Sequence, residues 1–297
     1  MSGVRYRYFS CIMILTILIM VFCPLKAWAK PNIQAKAAVL IDGNSGRILW
    51  EKNAFQPLPP ASTLKIITAI TALDLGNIQE NCLVGANAAQ TGESSIHLRE
   101  GEQLTLRELL FGALLRSGND ACVAVGENIA GSEGLFVEWL NLKAASLSAF
   151  SASLKNTNGL PATNNLISAY DLSLCARYGM ANPLFREIVA SKNASIGKAS
   201  SFRNLKNTNK LLWQRDDIVG IKTGTTNEAG NCLVTACRNQ DDLLICVVFH
   251  SPDRYGESLA ILDYGKAQFK SWNLEDKEDI AAYLPLKKAS RVFCLYK

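Results

Sequence analysis

The stretch AAVLIDGNSGRILWEK, residues 37–52, predicts a β-hairpin. Two runs of β-forming residues, 37–41 and 47–52, flank the segment DGNSG, whose glycine, asparagine and aspartate residues favour a tight turn. Three further strand candidates lie near the other end of the chain, at residues 218–223, 232–238 and 243–249. The strands from both chain ends can therefore meet in one antiparallel sheet.

The stretch between these strands is typical of helices. Residues 105–115 place four apolar side chains on one helical face. Ser168 and Asp171 form a capping-box pattern that starts a second helix, and a last helix is expected over residues 255–269. We predict the α/β class, of the α+β kind: an antiparallel sheet of about five strands formed by both chain ends, flanked by helices, with a mostly helical insert.

The segment PPASTLK, residues 59–65, predicts the start of a helix that carries a nucleophile. Because proline favours the first helical turn, the helix should run from Ser62 to Leu75, where Gly76 ends it. Ser62 and Lys65 then lie one turn apart on the same face. A serine hydroxyl needs a base to take its proton, and a lysine can be that base when burial or another cation lowers its pKa.

A second motif, Ser117-Gly118-Asn119, follows the leucine-rich helix. Gly118 would permit a tight turn that directs the two flanking side chains into a cleft. The alternative is an ordinary turn between helices, with Asn119 or Asp120 as the N-cap residue. The sequence alone leaves both interpretations open.

The third motif, Lys222-Thr223-Gly224, occurs once. At the end of a strand, Gly224 would let the backbone of a ligand approach closely. Lys222 supplies a charge for a substrate carboxylate, and Thr223 or Thr225 adds a hydroxyl. The alternative is a surface strand with a solvated lysine. The occurrence of all three motifs in this order is far less probable by chance than the occurrence of any single one. A second Ser-x-x-Lys match at residues 195–198 stands alone and is interpreted as coincidence.

These motifs and the runs around them resemble the serine D-alanyl-D-alanine carboxypeptidases, the low-molecular-weight penicillin-binding proteins. The resemblance covers residues 36–269. The runs that carry it are AVLID (38–42), GRIL (46–49), EQLTLRELL (102–110), NTNGLP (156–161), NTNKLL (207–212) and GIKTGTTNEAG (220–230). It implies a β-lactamase/transpeptidase-like fold and a catalytic acyltransferase domain over residues 30–272. No metal or organic cofactor is implied.

The resemblance also implies roles for individual residues. Ser62 would attack the carbonyl between the two terminal D-alanines of a peptidoglycan stem peptide, with Lys65 as base and Ser117 as a relay for the proton. Backbone N–H groups of Ser62 and Thr225 would form the oxyanion hole. Water would then hydrolyse the acyl-enzyme, and β-lactam antibiotics would acylate Ser62 as covalent inhibitors. The implied substrate-binding residues are Asn119, Lys222, Thr223, Gly224 and Thr225.

Two other functions are compatible with the same motifs. A class A-like β-lactamase needs a glutamate that activates the deacylating water. The segment EWLN, residues 138–141, is superficially similar to the required Glu-x-x-Leu-Asn, but its spacing is one residue short and it is typical of an amphipathic helix. The other alternative is a catalytically silent sensor of penicillin or peptidoglycan. Rapid turnover of penicillin would favour the β-lactamase, and absence of labelling by penicillin would favour the sensor.

The first 29 residues predict a signal peptide and therefore an exported protein of the cell envelope, the periplasm or the medium. Arg5 and Arg7 precede an apolar run at residues 11–22, and AWA at residues 27–29 is a small-x-small cleavage site. The run of about 12 residues is shorter than the ~20 that span a bilayer, so an uncleaved anchor is the less favoured alternative. Residues 273–297 form a short, partly basic C-terminal extension, which leaves peripheral membrane contact open.

Charge and cysteine content exclude other classes. Removal of the leader lowers the net charge from +5 to +2, which gives no argument for nucleic-acid binding. The odd number of remaining cysteines prevents complete internal pairing, and the two histidines and the lack of Cys-x-x-Cys argue against a zinc site. We expect most of these thiols to be small core residues. They are Cys82, Cys122, Cys175, Cys232, Cys237, Cys246 and Cys294.

Overall fold

A five-stranded antiparallel sheet joins the two ends of the described chain. The computed structural model describes residues 30–239 and 242–269, so the predicted leader and C-terminal extension lie outside it. The strands are β1 (Ala37–Asp42), β2 (Ile48–Lys52), β3 (Pro57–Leu58), β4 (Asn81–Leu83), β5 (Gln103–Thr105), β6 (Ile167–Ser168), β7 (Asn193–Ile196), β8 (Arg203–Lys206), β9 (Ile218–Thr226), β10 (Gly230–Asn239) and β11 (Asp242–Ser251). The large sheet has the order β2-β1-β11-β10-β9, which confirms the sheet predicted from both chain ends.

The described residues also form nine α-helices. They are α1 (Lys65–Leu75), α2 (Ala86–Gln90), α3 (Leu106–Leu115), α4 (Asn119–Ala130), α5 (Glu133–Ser146), α6 (Ala169–Ala181), α7 (Pro183–Ala190), α8 (Leu211–Gln214) and α9 (Arg254–Gln268). The predicted helices over 105–115 and 255–269 are confirmed within one residue at each end. Ser168 caps α6 by accepting a hydrogen bond from the backbone N–H of Asp171, as its sequence pattern indicated.

The two faces of the sheet bury separate apolar clusters. Along β1, Val39 and Ile41 face a large helical core, whereas Ala38 and Leu40 face a smaller core formed with α9. This alternation follows from the two-residue period of a strand. The strand is therefore covered on both sides, and β9, at one edge of the sheet, remains available to border a cleft.

Helix α1 lies in the middle of the larger core. Its first eight residues, Lys65 to Ala72, are all buried, as expected for a helix surrounded by protein. The predicted helix end at Gly76 is confirmed, but the predicted start is wrong in detail. Residues Ala61–Leu64 form a 3-10 turn, and Ser62 therefore precedes the α-helix instead of lying in it.

The described cysteines Cys82, Cys122, Cys175, Cys232, Cys237 and Cys246 are free and buried, in agreement with their interpretation as core residues; Cys294 lies outside the described part. Within residues 30–239 and 242–269, no helix combines the length and apolar character needed to cross a membrane.

Candidate active site

The amine of Lys65 is the centre of the site. It lies 2.8 Å from the Ser62 hydroxyl oxygen, 2.8 Å from the Asn119 side-chain oxygen and 2.6 Å from the backbone oxygen of Asn158. The side chain is completely buried, and this burial lowers the pKa of Lys65 from 10.5 to about 8. About a tenth of the amine is therefore neutral at pH 7, and about half at pH 8.

The chemistry of the three partners determines where the lone pair of neutral Lys65 points. The oxygens of Asn119 and Asn158 can only accept hydrogen bonds, whereas the Ser62 hydroxyl can also donate one. A neutral amine has two N–H groups and one lone pair. The two N–H groups satisfy the two carbonyl oxygens, and the lone pair is left facing the Ser62 hydroxyl. This geometry is that of a general base and its nucleophile.

The Ser117-Gly118-Asn119 motif contributes to this cleft, but its backbone differs from the prediction. Ser117 has the left-handed conformation, with φ of 64°, whereas Gly118 has φ of −59° and is the N-cap residue of α4. Glycine is needed here for space, because a Cβ on Gly118 would lie 2.8 Å from a carboxylate oxygen of Asp120. The Ser117 hydroxyl makes no hydrogen bond within the described residues, so the relay stays a prediction.

Asn119 connects the base to a neighbouring loop. Its side-chain oxygen accepts from Lys65, and its amide nitrogen donates to the backbone oxygen of Gly92 at 3.0 Å. The side chain is thereby oriented by a donor on one side and an acceptor on the other. Asn119 is 2% exposed and contacts the amine of Lys65, and its contact with a substrate stays a prediction.

The Lys222-Thr223-Gly224 motif lies inside β9, not at a strand end as predicted. Lys222 is buried and donates to the backbone oxygen of Thr223 at 3.0 Å, so the alternative of a solvated surface lysine is wrong. Burial, followed by the charge of Lys65, holds the pKa of Lys222 well below its ordinary value. Gly224 is required by the close approach of protein, since a Cβ there would lie 2.9 Å from the backbone nitrogen of Ser62.

Sequence reasoning missed a group of residues that border β9. Arg254, the first residue of α9, donates to the Gly224 carbonyl at 2.9 Å and to the Thr225 hydroxyl at 2.7 Å. The hydroxyls of Thr208 and Thr223 lie 2.8 Å apart. Arg254 belongs to no motif, and Thr208 lies in the NTNKLL run that supported the resemblance but received no role.

The backbone oxygen of Asn158 was also missed, because a backbone group leaves no signature in the sequence. Its loop is fixed from two sides. The Thr68 hydroxyl of α1 donates to the Thr157 carbonyl at 2.6 Å, and the Glu133 carboxylate accepts from the Thr157 hydroxyl at 2.8 Å. The acceptor for Lys65 is therefore held by α1 and α5 together.

Isolated copies of the motifs lie elsewhere. Ser195, the start of the second Ser-x-x-Lys match, is a residue of β7 whose hydroxyl donates to Asn204. Glu138, proposed for a β-lactamase, is exposed on α5. Cys122 is buried behind the site, where burial raises the pKa of its thiol to about 12 and keeps the thiol neutral.

A buried lysine on a serine hydroxyl, beside an edge strand that carries a second buried lysine, defines a serine acyltransferase site. Comparison with known proteins gives the family. Residues 25–253 match the D-alanyl-D-alanine carboxypeptidase family of peptidases. The chain belongs to this family of serine-type peptidases.

Individual relatives agree with this assignment. The chain is 33% identical to the D-alanyl-D-alanine carboxypeptidase DacF of Bacillus subtilis over 88% of its own length and 69% of the relative's. It is 33% identical to DacA of Escherichia coli, of which it spans 63%. The solved D-alanyl-D-alanine carboxypeptidase of Mycobacterium tuberculosis superposes with a TM-score of 0.77 at 29% identity, covering 83% of this chain and 96% of that one. A solved mutant of the Streptomyces K15 DD-transpeptidase gives a TM-score of 0.75 at 28% identity, covering 80% of this chain and 100% of that one.

Proposed function

We propose that the protein removes the terminal D-alanine from peptidoglycan stem peptides through an acyl-enzyme on Ser62. The observation that carries this proposal is the set of three contacts of Lys65. In acylation, the Ser62 oxygen attacks the carbonyl carbon between the two D-alanines while its proton passes to the Lys65 amine. The protonated amine then returns the proton to the leaving D-alanine nitrogen, directly or through Ser117, as the peptide bond breaks.

The leaving D-alanine carries a carboxylate, which the β9 side of the cleft is suited to hold. Thr223 and Thr225 supply hydroxyls, and Arg254 supplies a guanidinium that already contacts Thr225. Guanidinium groups match carboxylates in geometry and charge. Lys222 is also assigned to carboxylate binding in its protonated form, which a bound carboxylate would favour against the lowering of the Lys222 pKa by burial and by Lys65. Asn119 is assigned to the substrate amide, and Gly224 to the close approach of β9 to Ser62. In the second half-reaction, water attacks the ester and frees Ser62.

A direct test measures release of free D-alanine from Nα,Nε-diacetyl-L-Lys-D-Ala-D-Ala by the wild-type chain and by Ser62→Ala. We expect release by the wild type and none by the variant, with an unchanged melting temperature. Release at the wild-type rate by Ser62→Ala would refute the nucleophile. Absence of release by the wild type, together with fast penicillin hydrolysis, would support the β-lactamase alternative, and no reaction with either compound would support the sensor.

The same proposal gives the partners and the location. Stem peptides ending in D-Ala-D-Ala are the substrates, β-lactams are covalent inhibitors, and an extracytoplasmic site of action follows from the substrate. The catalytic domain is assigned to residues 30–272, between a leader over 1–29 and an extension over 273–297 whose contact with a membrane is an additional, separate proposal.

A further inference from the structure

The loop over residues 92–98 lies against the start of α4 and is held there by several hydrogen bonds. The backbone N–H of Asn119 donates to the carbonyl of Ser94 at 2.7 Å, and its side chain donates to the carbonyl of Gly92 at 3.0 Å. The two carbonyl acceptors belong to the residues on either side of Glu93. The first helical residue of α4 therefore fixes this residue next to the amide that is assigned to the substrate.

Asp120 holds the rest of the loop. Its carboxylate accepts from the Ser95 hydroxyl at 2.6 Å and from the backbone N–H groups of Ile96 and Leu98 at 3.1 and 3.0 Å. Glu93 itself has φ of 61°, a left-handed conformation that is uncommon for a residue with a side chain. Such strain persists only where the surroundings enforce it, as these hydrogen bonds do here.

The carboxylate of Glu93 differs from the other acidic groups around the cleft. The Asp120 carboxylate accepts hydrogen bonds from the loop, and the Glu133 carboxylate accepts one from the Thr157 hydroxyl. Glu93 is exposed, and within the described part of the chain it makes no hydrogen bond or salt bridge. It nevertheless lies close enough to the reaction centre to oppose, together with other groups, the lowering of the Lys65 pKa that burial causes. The exposed Glu93 carboxylate is thus available to a charged partner from outside the described residues.

The direction of the substrate indicates which part of it meets Glu93. Under the proposed function, the leaving D-alanine binds at β9 and Arg254 and the substrate amide binds Asn119, so the acyl part of the peptide would extend past Asn119, which is hydrogen-bonded to the 92–98 loop. We propose that Glu93 binds an ammonium group on the side chain that precedes the scissile D-Ala-D-Ala unit, and that the enzyme therefore prefers stem peptides with a free diamino-acid side chain. This inference rests on the proposed function.

Two substrates that differ only in this charge test the proposal: Nα-acetyl-L-Lys-D-Ala-D-Ala, with a free side-chain ammonium, and the same peptide acetylated at that nitrogen. A partly exposed ion pair contributes up to about 1 kcal/mol, so we expect the wild type to prefer the free amine by roughly three- to fivefold in kcat/KM. Glu93→Gln should abolish the preference, and Glu93→Lys should reverse it. Glu100→Gln, at an exposed carboxylate outside this loop, should keep it.

The outcomes separate this inference from the function on which it rests. Equal kcat/KM values for the two peptides in the wild type, or a preference that survives in Glu93→Gln, would overturn the role of Glu93 while D-alanine release continued. Absence of D-alanine release from both peptides in the wild type would overturn the proposed function itself, and this inference with it.

Discussion

Two groups of charged residues in this protein differ in their burial and in the charge of their partners. In the cleft, Lys65 and Lys222 are buried, and their hydrogen bonds within the described residues go to neutral oxygens. On the outer side of the sheet, between β9 and α9, Arg215 and Lys266 both contact the carboxylate of Asp217. The first group consists of buried lysines whose partners are neutral, and the second is a partly exposed network of ion pairs.

The pKa directions show what this difference means. Burial is the first cause of the fall of the Lys65 pKa to about 8, whereas the hydrogen bond from Arg215 is the first cause of the fall of the Asp217 pKa to about 2. A shift from 10.5 to about 8 corresponds to about 3 kcal/mol against the protonated form of Lys65 in the folded protein. Burial of Lys65 thus lowers the stability of the folded protein but makes its amine reactive, whereas the outer network contributes only to stability.

The largest expected effect is that of Lys65→Met, which removes the base but keeps the volume of the side chain. Acylation by benzylpenicillin should slow by on the order of 10²–10⁴-fold. The free energy of unfolding should stay within about 1 kcal/mol of the wild type, because loss of the buried charge offsets the two carbonyl oxygens left without a donor. Stopped-flow acylation and urea unfolding measure the two quantities.

Lys266→Met is the matched control in the outer network. It should leave acylation unchanged and lower the free energy of unfolding by up to about 1 kcal/mol. If Lys65→Met were acylated at the wild-type rate, or if Lys266→Met slowed acylation, the contrast between the two groups would be wrong.

The second effect is the pH dependence of acylation. Only neutral Lys65 can accept the Ser62 proton, and its pKa is about 8. The acylation rate should therefore rise by about tenfold per pH unit between pH 6 and 7 and level off above about pH 8. A rate that is flat from pH 6 to 9 would argue against Lys65 as the base. The Lys266→Met variant should reproduce the wild-type profile.

The third effect concerns Arg254, a half-buried cation at the edge of the cleft. Arg254→Met should raise KM for a D-Ala-D-Ala peptide by roughly tenfold, since a charged hydrogen bond to the carboxylate is lost. A peptide with a C-terminal amide should not be affected. Arg215→Met, in the outer network, is the control and should change neither value. An equal rise in KM for the acid and the amide peptide would mean that Arg254→Met acts through the structure of β9 instead.

The smallest effect belongs to Asp217. Its pKa is about 2 in the folded protein and 3.8 when unperturbed, so its contribution to stability is complete above about pH 4 and disappears as the pH falls toward 2. Asp217→Asn should lower the free energy of unfolding by about 1 kcal/mol at pH 7 and by less at pH 2.5. Urea titrations at both pH values measure this difference, and an equal loss at both would exclude an ionic origin.

The parts of the molecule that could be predicted are those set by local sequence. The hairpin at residues 37–52 follows from β-forming runs around a turn, and α3 begins directly after Thr105 because Thr105, its N-cap residue, and Glu108 form a reciprocal capping box. Ser62 and Lys65 are three residues apart, so one turn of helix suffices to bring them together.

The parts that could not be predicted depend on long-range contacts. Lys65 contacts residues 54 and 93 positions away, and one of these contacts is a backbone oxygen. Arg254, the first residue of α9, donates to the Thr225 hydroxyl in β9, although the two residues are 29 positions apart in the sequence. The left-handed backbone of Ser117 is likewise imposed by its surroundings, since serine has no intrinsic preference for that conformation.

The central claim is that Ser62 becomes acylated with Lys65 as its base. Intact-protein mass spectrometry after brief exposure to benzylpenicillin, followed by peptide mapping, tests it most directly. We predict one stable adduct on Ser62 in the wild type, faster formation at pH 8 than at pH 6, and almost none in Lys65→Met. An adduct on another residue, or equal labelling of Lys65→Met and the wild type, would contradict this claim.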